Sequence, residues 1–205
     1  MKYDILASND SVQKTMTALT ELGYLPEFVA SRSEALSRIK DLVPANASVM
    51  NGGSRTLEEI GFVQYLKDGK HGWNNLHETI LAEKDPAKQG VLRKQSVLSD
   101  FYLGSAHAVS ENGDIVIASY SGSQLPHIAF TSQNIVLVVG TQKITPTLNT
   151  ALTRLDEYVL PLESARMKEI GMGGSFISKL LILKKEQPFM GRKFHIILVG
   201  EKLGF

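Results

Sequence analysis

The segment NGGSRT is the first place where residue types and spacing could do chemistry. Gly52 and Gly53 let the backbone approach an anion closely, and the N–H groups that open a helix point their positive ends at it. Ser54, Arg55 and Thr56 would add side-chain donors to such a site. The same letters also describe a tight strand-to-helix turn capped by Ser54 or Thr56. The segment matches neither the Rossmann glycine fingerprint nor the Walker loop, so both alternatives stay open.

A second candidate is the turn SENG, which places the carboxylate of Glu111 between two predicted strands. A carboxylate at such a connection can act as a nucleophile or a general base if burial raises its pKa. Asn112 followed by Gly113 is also a hairpin signal, and Glu111 is then only a solvated turn residue. The local sequence favours the hairpin over the catalytic role.

Further polar residues lie near the ends of predicted strands. In open parallel sheets, ligands bind at the carboxyl ends of the strands, so Gly122, His127 and Lys143 could converge on one pocket. Lys143 would be a natural partner for an anion. Asp100 and His107 flank another strand, but their separation by seven residues does not place both on one face. Each candidate also has an ordinary interpretation as a packed histidine, a turn glycine or a solvated charge.

Arg166 follows a proline-broken helix, and the glycine-rich residues 171–174 after it could fold over a site or simply connect two elements. Five scattered histidines without short ligand spacing predict no metal site. The sequence contains no cysteine, which excludes disulfides, thiolate metal ligands and iron–sulfur ligation.

The elements that must position these residues follow from periodicity and turn signals. Helices are predicted from Ser8 to Gly23 and from Ser33 to Pro44, and residues 70–98 are mostly helical by composition. Strands are predicted at residues 27–30, 47–50, 101–109, 115–119, 135–139, 180–183 and 194–199, with a helical stripe over 146–167 that is interrupted near Pro161. Apolar strands alternating with helices predict an α/β fold with a largely parallel sheet flanked by helices.

The bulk composition bounds the function. A chain of 205 residues can form one substantial domain, with residues 1–46 as a helical N-terminal part and 47–205 as the α/β core. Lys plus Arg number 22 against 21 for Asp plus Glu, so we expect no nucleic-acid partner. No apolar stretch is long enough for a signal peptide or a membrane span, which predicts a cytoplasmic protein without a membrane partner.

Taken together, these segments resemble the LUD (lactate utilization) domain family. The resemblance rests on NGGSRTLEEIG, SDFYLGSAHAVSENGDIV, VVGTQKI followed by ALTRLDEYVLPLESARM, and the closing VGEKLGF, and it covers residues 47–205. It implies a fold of the NagB/RpiA/CoA transferase-like group, in which glycine turns of an α/β sheet face a pocket. SENG also resembles the coenzyme A transferase motif whose glutamate attacks an acyl-CoA, and Glu111 matches that position.

The resemblance also implies partners. Many relatives carry a cysteine-rich stretch after the segment corresponding to ESARM, whereas this chain has EIGMGGSFISK there. It therefore implies a role in lactate utilization beside iron–sulfur redox proteins, without an iron–sulfur cofactor in this chain. A homo-oligomer is compatible with the sequence, which does not determine the oligomeric state.

Three functional hypotheses follow. The leading one is support for oxidation of lactate, or a related organic acid, to the keto acid, with a small anion at the NGGSRT turn and Glu111, Lys143 and His127 lining the pocket. Coenzyme A or a phosphorylated ligand would suit the same turns. The second is an acyl-CoA transferase, thioesterase or sugar-phosphate isomerase with Glu111 as the catalytic carboxylate. The third is a non-catalytic subunit.

Overall fold

The computed structural model describes residues 3–205, and ten strands within them form two sheets. Six strands make a sheet in which every neighbouring pair is parallel, and four make a smaller mixed sheet. The strands are β1 (Leu25–Val29), β2 (Ser48–Asn51), β3 (Asn74–Asn75), β4 (Phe101–Gly104), β5 (Ala108–Ser110), β6 (Ile115–Ser119), β7 (Asn134–Gly140), β8 (Ile144–Thr145), β9 (Lys179–Leu183) and β10 (Lys193–Val199). The large sheet has the order β1-β10-β7-β4-β2-β3 and the small one β8-β5-β6-β9.

The large sheet is buried on both faces, as its near-continuous apolar strands predict. Strand β7 shows this most clearly. Its alternate residues Val136 and Val138 pack into one apolar cluster, while Ile135, Leu137 and Val139 pack into another on the opposite face. Successive side chains of a strand point to opposite faces, so one apolar run supplies two layers of core. The predicted α/β class and parallel sheet are confirmed.

Helices cover the sheet faces and begin at recognisable caps. They are α1 (Asn9–Glu21), α2 (Arg32–Leu42), α3 (Arg55–Glu59), α4 (Phe62–Lys67), α5 (Leu76–Ala82), α6 (Pro86–Gln95), α7 (Leu148–Arg154) and α8 (Leu160–Glu169). The Ser8 side chain accepts a hydrogen bond from Ser11 N at 3.2 Å and caps α1 as predicted. Helix α2 is capped by Ser31 instead of Ser33, because the Ser31 side chain accepts from Glu34 N.

The helical stripe after β8 is less interrupted than the sequence predicts. Helix α7 passes through a π-helical turn, Leu155–Val159, directly into α8. Pro161 lies in the first turn of α8, directly after the π-helical turn, where the regular i→i−4 hydrogen bonding is already interrupted. The proline therefore changes the hydrogen-bonding pattern of the helix without ending it.

The small sheet was not predicted, and it corrects the single strand expected over residues 101–109. That run is two strands in two different sheets, β4 and β5. Strands β5 and β6 form an antiparallel hairpin whose turn includes Gly113 at φ +86°, as the hairpin interpretation of SENG predicts. The apolar run is divided because β4 pairs with β7 in the large sheet and β5 pairs with β6 in the small one.

None of the helices within residues 3–205 is both long and apolar enough to cross a membrane.

Candidate functional site

The carboxyl ends of β2, β4 and β7 face a cavity of about 480 Å³. Its wall also includes the end of β6, the helical run from α7 to α8, and the glycine-containing loop that follows α8. The ends of neighbouring parallel strands leave loops that diverge from one edge of the sheet, which is where such folds bind ligands. The NGGSRT turn, His107 and Lys143 all line this cavity.

The NGGSRT turn caps a helix and also lines the cavity. A Cβ atom at Gly52 would lie 2.8 Å from the Tyr102 hydroxyl, so a side chain has little room there, whereas Gly53 borders open space. The Ser54 side chain accepts a hydrogen bond from Leu57 N at 3.3 Å and caps α3. The turn is thus a capped strand-to-helix connection whose backbone also forms part of a cavity wall.

Lys143 is the chemically most unusual group of the cavity, because its side chain is buried although lysine normally stays in solvent. Its Nζ atom donates to Thr56 Oγ1 at 2.9 Å and to Ser105 Oγ at 3.1 Å. Burial, followed by the nearby charge of Arg154, lowers its pKa to about 7, while Glu59 acts in the opposite direction. No carboxylate in residues 3–205 forms an ion pair with Lys143.

Arg154 adds a second buried cation behind the wall of the cavity. Its Nη1 donates to the carbonyl oxygen of His107 at 2.6 Å, and its guanidinium lies 5.1 Å from the Tyr158 ring centroid. Its Nε and Nη2 atoms are buried and have no hydrogen-bond partner in the described chain. Burial lowers its pKa to about 10, still high enough to keep the guanidinium charged at neutral pH. The region around Lys143 is therefore electropositive.

His107 is held as a neutral ring. Burial, followed by the charges of Lys143 and Arg154, lowers its pKa to about 3. Its Nδ1 accepts a hydrogen bond from Ala118 N at 3.2 Å, which leaves the ring proton on Nε2. His107 can thus donate a hydrogen bond but adds no charge to the cavity.

His127 lies one layer behind the cavity wall. Its ring stacks on that of Tyr102, which lines the cavity, with the ring centroids 4.7 Å apart. Its Nδ1 lies 3.1 Å from Ser132 Oγ and 3.3 Å from Ser99 Oγ. Burial lowers the pKa of His127 to about 4, so the ring is neutral at physiological pH. It supports Tyr102 and does not line the cavity.

Glu111 lies outside the cavity lining, in the β5–β6 hairpin turn. Its carboxylate accepts from Ser11 Oγ at 2.7 Å and from Lys14 Nζ at 2.9 Å, both on α1. These hydrogen bonds lower the pKa of Glu111, whereas the catalytic interpretation requires burial to raise it. The structure thus gives Glu111 a role in attaching α1 to the small sheet.

Two other candidates also lie away from the ligand-accessible wall. Asp100 precedes β4 at the opposite edge of the sheet, where its carboxylate accepts from Ser48 N at 2.8 Å and Ser48 Oγ at 2.6 Å. Those two hydrogen bonds lower its pKa. Gly122, at φ +84°, is a turn residue packed against the Lys179 side chain. Its neighbours Ser121 and Ser123 line the cavity instead.

The glycine loop and α8 contribute to the cavity lining, as the sequence suggested. Arg166 lines the cavity and pairs with Glu163 at 2.7 Å, and Arg55 pairs with Glu59 at 3.0 Å on the other side. Both arginines are partly exposed and already paired with a carboxylate, so they contribute less uncompensated charge than Lys143.

Sequence reasoning missed Tyr102, Ser105 and Arg154. The burial of Arg154 could have been predicted from helical spacing. It lies three residues after Ala151 and next to Leu155, which places it on the same side of the helix as the apolar stripe. Tyr102 and Ser105 had none beyond their place near the end of a strand.

This geometry defines an open α/β protein with a cavity at the carboxyl edge of its parallel sheet. The chain belongs to the LUD domain family, whose model matches residues 12–199. Family membership supports a role associated with lactate utilization. The match confirms the resemblance and extends it into the N-terminal part.

The fold is shared with a solved structure. The crystal structure of a DUF162 family protein from Deinococcus radiodurans, at 1.70 Å resolution, superposes with a TM-score of 0.58 at 14% sequence identity. The alignment covers 95% of this chain and 99% of that chain. At this identity the likeness establishes the fold alone. No curated protein matches this chain.

Proposed function

We propose that the protein supports the use of lactate, or of a related 2-hydroxy or 2-oxo acid, by binding the small organic anion in the cavity beside Lys143. Iron–sulfur redox proteins act with it in this scheme, since a chain without cysteine has no thiolate to hold such a cluster itself. Family membership supports the lactate context, and the resemblance of the sequence supports the partners.

The buried basic pair of Lys143 and Arg154 is the observation that carries the proposal, because Arg154 is charged at neutral pH and Lys143 is about half protonated there. Burying a charge costs free energy unless an opposite charge compensates for it. Because Lys143 and Arg154 are both basic, the charge of each makes it more costly to bury the charge of the other. The described residues supply hydroxyl and carbonyl oxygens to the pair but no ion-paired carboxylate. A ligand carboxylate next to Lys143 would provide the compensating charge.

The shape of the site agrees with a small ligand. A volume of about 480 Å³ is in the lower half of the range typical of small-molecule sites, roughly 300–1,000 Å³. Gly53 borders open space and leaves the turn backbone there open to a carboxylate, and His107 Nε2–H is a donor for one of its oxygens. Glu111 carries no second candidate function, because its carboxylate is occupied by Ser11 and Lys14.

Thermal-shift measurements with lactate, pyruvate, inorganic phosphate and coenzyme A test the proposal. A ligand present at about 100 times its Kd stabilises the native state by about 2.7 kcal/mol, which corresponds to roughly 5–10 °C for a chain of this size. We expect lactate or pyruvate to raise the Tm of the wild type and of Lys14→Met, an exposed-lysine control, but not that of Lys143→Met. Equal shifts in all three proteins, or none in the wild type, would overturn it.

A further inference from the structure

The hydrogen bonds around Lys143 have a defined direction. Thr56 Oγ1 donates its proton to the carbonyl oxygen of Leu203 at 3.3 Å, and Ser105 Oγ donates to the carbonyl oxygen of Ala106 at 3.2 Å. A hydroxyl has one proton, so each of these oxygens can only accept from Lys143 Nζ. The lysine therefore donates two hydrogen bonds and has two acceptors for them.

Two acceptors match the neutral amine better than the ammonium ion. A neutral amine has two N–H groups and one lone pair, whereas an ammonium ion has three N–H groups and no lone pair. The structure satisfies the two N–H groups through Thr56 and Ser105 and leaves the lone pair uncommitted. With a pKa of about 7, the neutral form is substantially populated at physiological pH. A desolvated lysine of this kind is a nucleophile.

Lys143 lines the cavity together with His107 and Tyr102, so a carbonyl compound bound there can reach the amine. Arg154 does not compete for this role, because it stays protonated and supplies the field that attracts a carboxylate. A molecule with a carboxylate next to a ketone carbonyl combines both requirements.

We propose that the Nζ atom of Lys143 forms a reversible imine with the carbonyl carbon of a 2-oxo acid in this cavity, an inference that rests on the proposed anion site. The nitrogen lone pair attacks C2, the C=O π electrons move to oxygen, and a proton passes from nitrogen to that oxygen to give a carbinolamine. The C–O bond then breaks as the hydroxyl takes a proton from solvent and leaves as water, and the nitrogen lone pair forms the C=N bond. His107 Nε2–H is a donor suited to holding the departing oxygen.

Reductive trapping tests the imine directly. The full-length protein is incubated near neutral pH with pyruvate and sodium cyanoborohydride, which transfers hydride to the iminium carbon and fixes a stable secondary amine. Intact-mass and peptide-mapping measurements then give the number and position of the adducts. We expect one adduct per chain at Lys143 at early times, and none with lactate, which has no carbonyl group.

The controls separate this inference from the proposed function. Lys14→Met should retain the adduct and Lys143→Met should lose it, while peptide mapping of the wild type assigns the site even if the second variant does not fold. A pyruvate-induced rise in Tm without an adduct at Lys143 would refute the imine and leave anion binding intact. Absence of the adduct together with absence of a Tm rise with either lactate or pyruvate would overturn the proposed function as well. An adduct spread over exposed lysines would also refute the inference.

Discussion

Substitution of Lys143 by Met should remove most of the rise in stability that we expect between pH 7 and pH 9. The pKa of Lys143 falls from 10.5 to about 7 on folding, mainly because of burial. Between these two values the unfolded chain binds a proton that the folded protein does not, so raising the pH favours the folded state. Below pH 7 both states are protonated and this contribution becomes constant.

The magnitude follows from linkage. Where the unfolded chain binds one proton more than the folded protein, the free energy of unfolding rises by about 1.4 kcal/mol per pH unit. Near pH 7 the folded lysine is still half protonated, so the rise is smaller there. The total gain in the free energy of unfolding from pH 7 to pH 9 is therefore about 2 kcal/mol. Methionine is unbranched and flexible and can occupy the space of the lysine chain without the ionisable group. In Lys143→Met the free energy of unfolding should therefore change little over this interval.

Urea unfolding at pH 7, 8 and 9 measures the effect. The single tryptophan, Trp73, is buried and reports the transition by fluorescence. Lys14→Met is the matched control, because Lys14 is exposed and should leave the pH dependence of the wild type unchanged. Parallel pH dependences of the wild type and Lys143→Met would refute the lowered pKa.

Three further predictions concern neighbouring groups. Glu111→Gln should cost less than about 1 kcal/mol and leave ligand-induced Tm shifts unchanged, since it removes a partly exposed ion pair outside the cavity; a lost ligand response would contradict this. As the pH falls from 6.5 towards 4, the wild type should lose roughly 1 kcal/mol of unfolding free energy per pH unit, because the His127 ring takes up a proton in the unfolded chain but not in the folded protein. His127→Phe should reduce this loss, and unfolding curves at three acidic pH values measure it. Arg154→Met should raise the pKa of Lys143 and move the alkaline rise in stability to higher pH in the same urea titration; an unmoved rise would show that the two cations do not interact.

That Lys143 and the NGGSRT turn line the cavity could be predicted because their signals are local. Each follows an apolar strand, and a parallel sheet brings the carboxyl ends of its strands to one edge. Asp100 could have been rejected by the same rule, since it precedes β4 and therefore lies at the opposite edge.

Glu111 could not be judged locally. Ser11 and Lys14, which donate hydrogen bonds to its carboxylate, lie 100 and 97 residues earlier in the chain. The direction of its pKa shift depends on whether the hairpin turn packs against α1 or lines the cavity. The sequence around Glu111 does not contain this tertiary contact.

By itself, the sequence determined the α/β class, the family, most element positions and the absence of thiol chemistry, because periodicity, capping residues and composition act over short distances. Only the tertiary structure decided which polar groups share a cavity, where the run from Phe101 divides between two sheets, and that Lys143 is buried beside Arg154. Burial, and with it the pKa of a charged group, depends on residues that are distant in the chain and close in space.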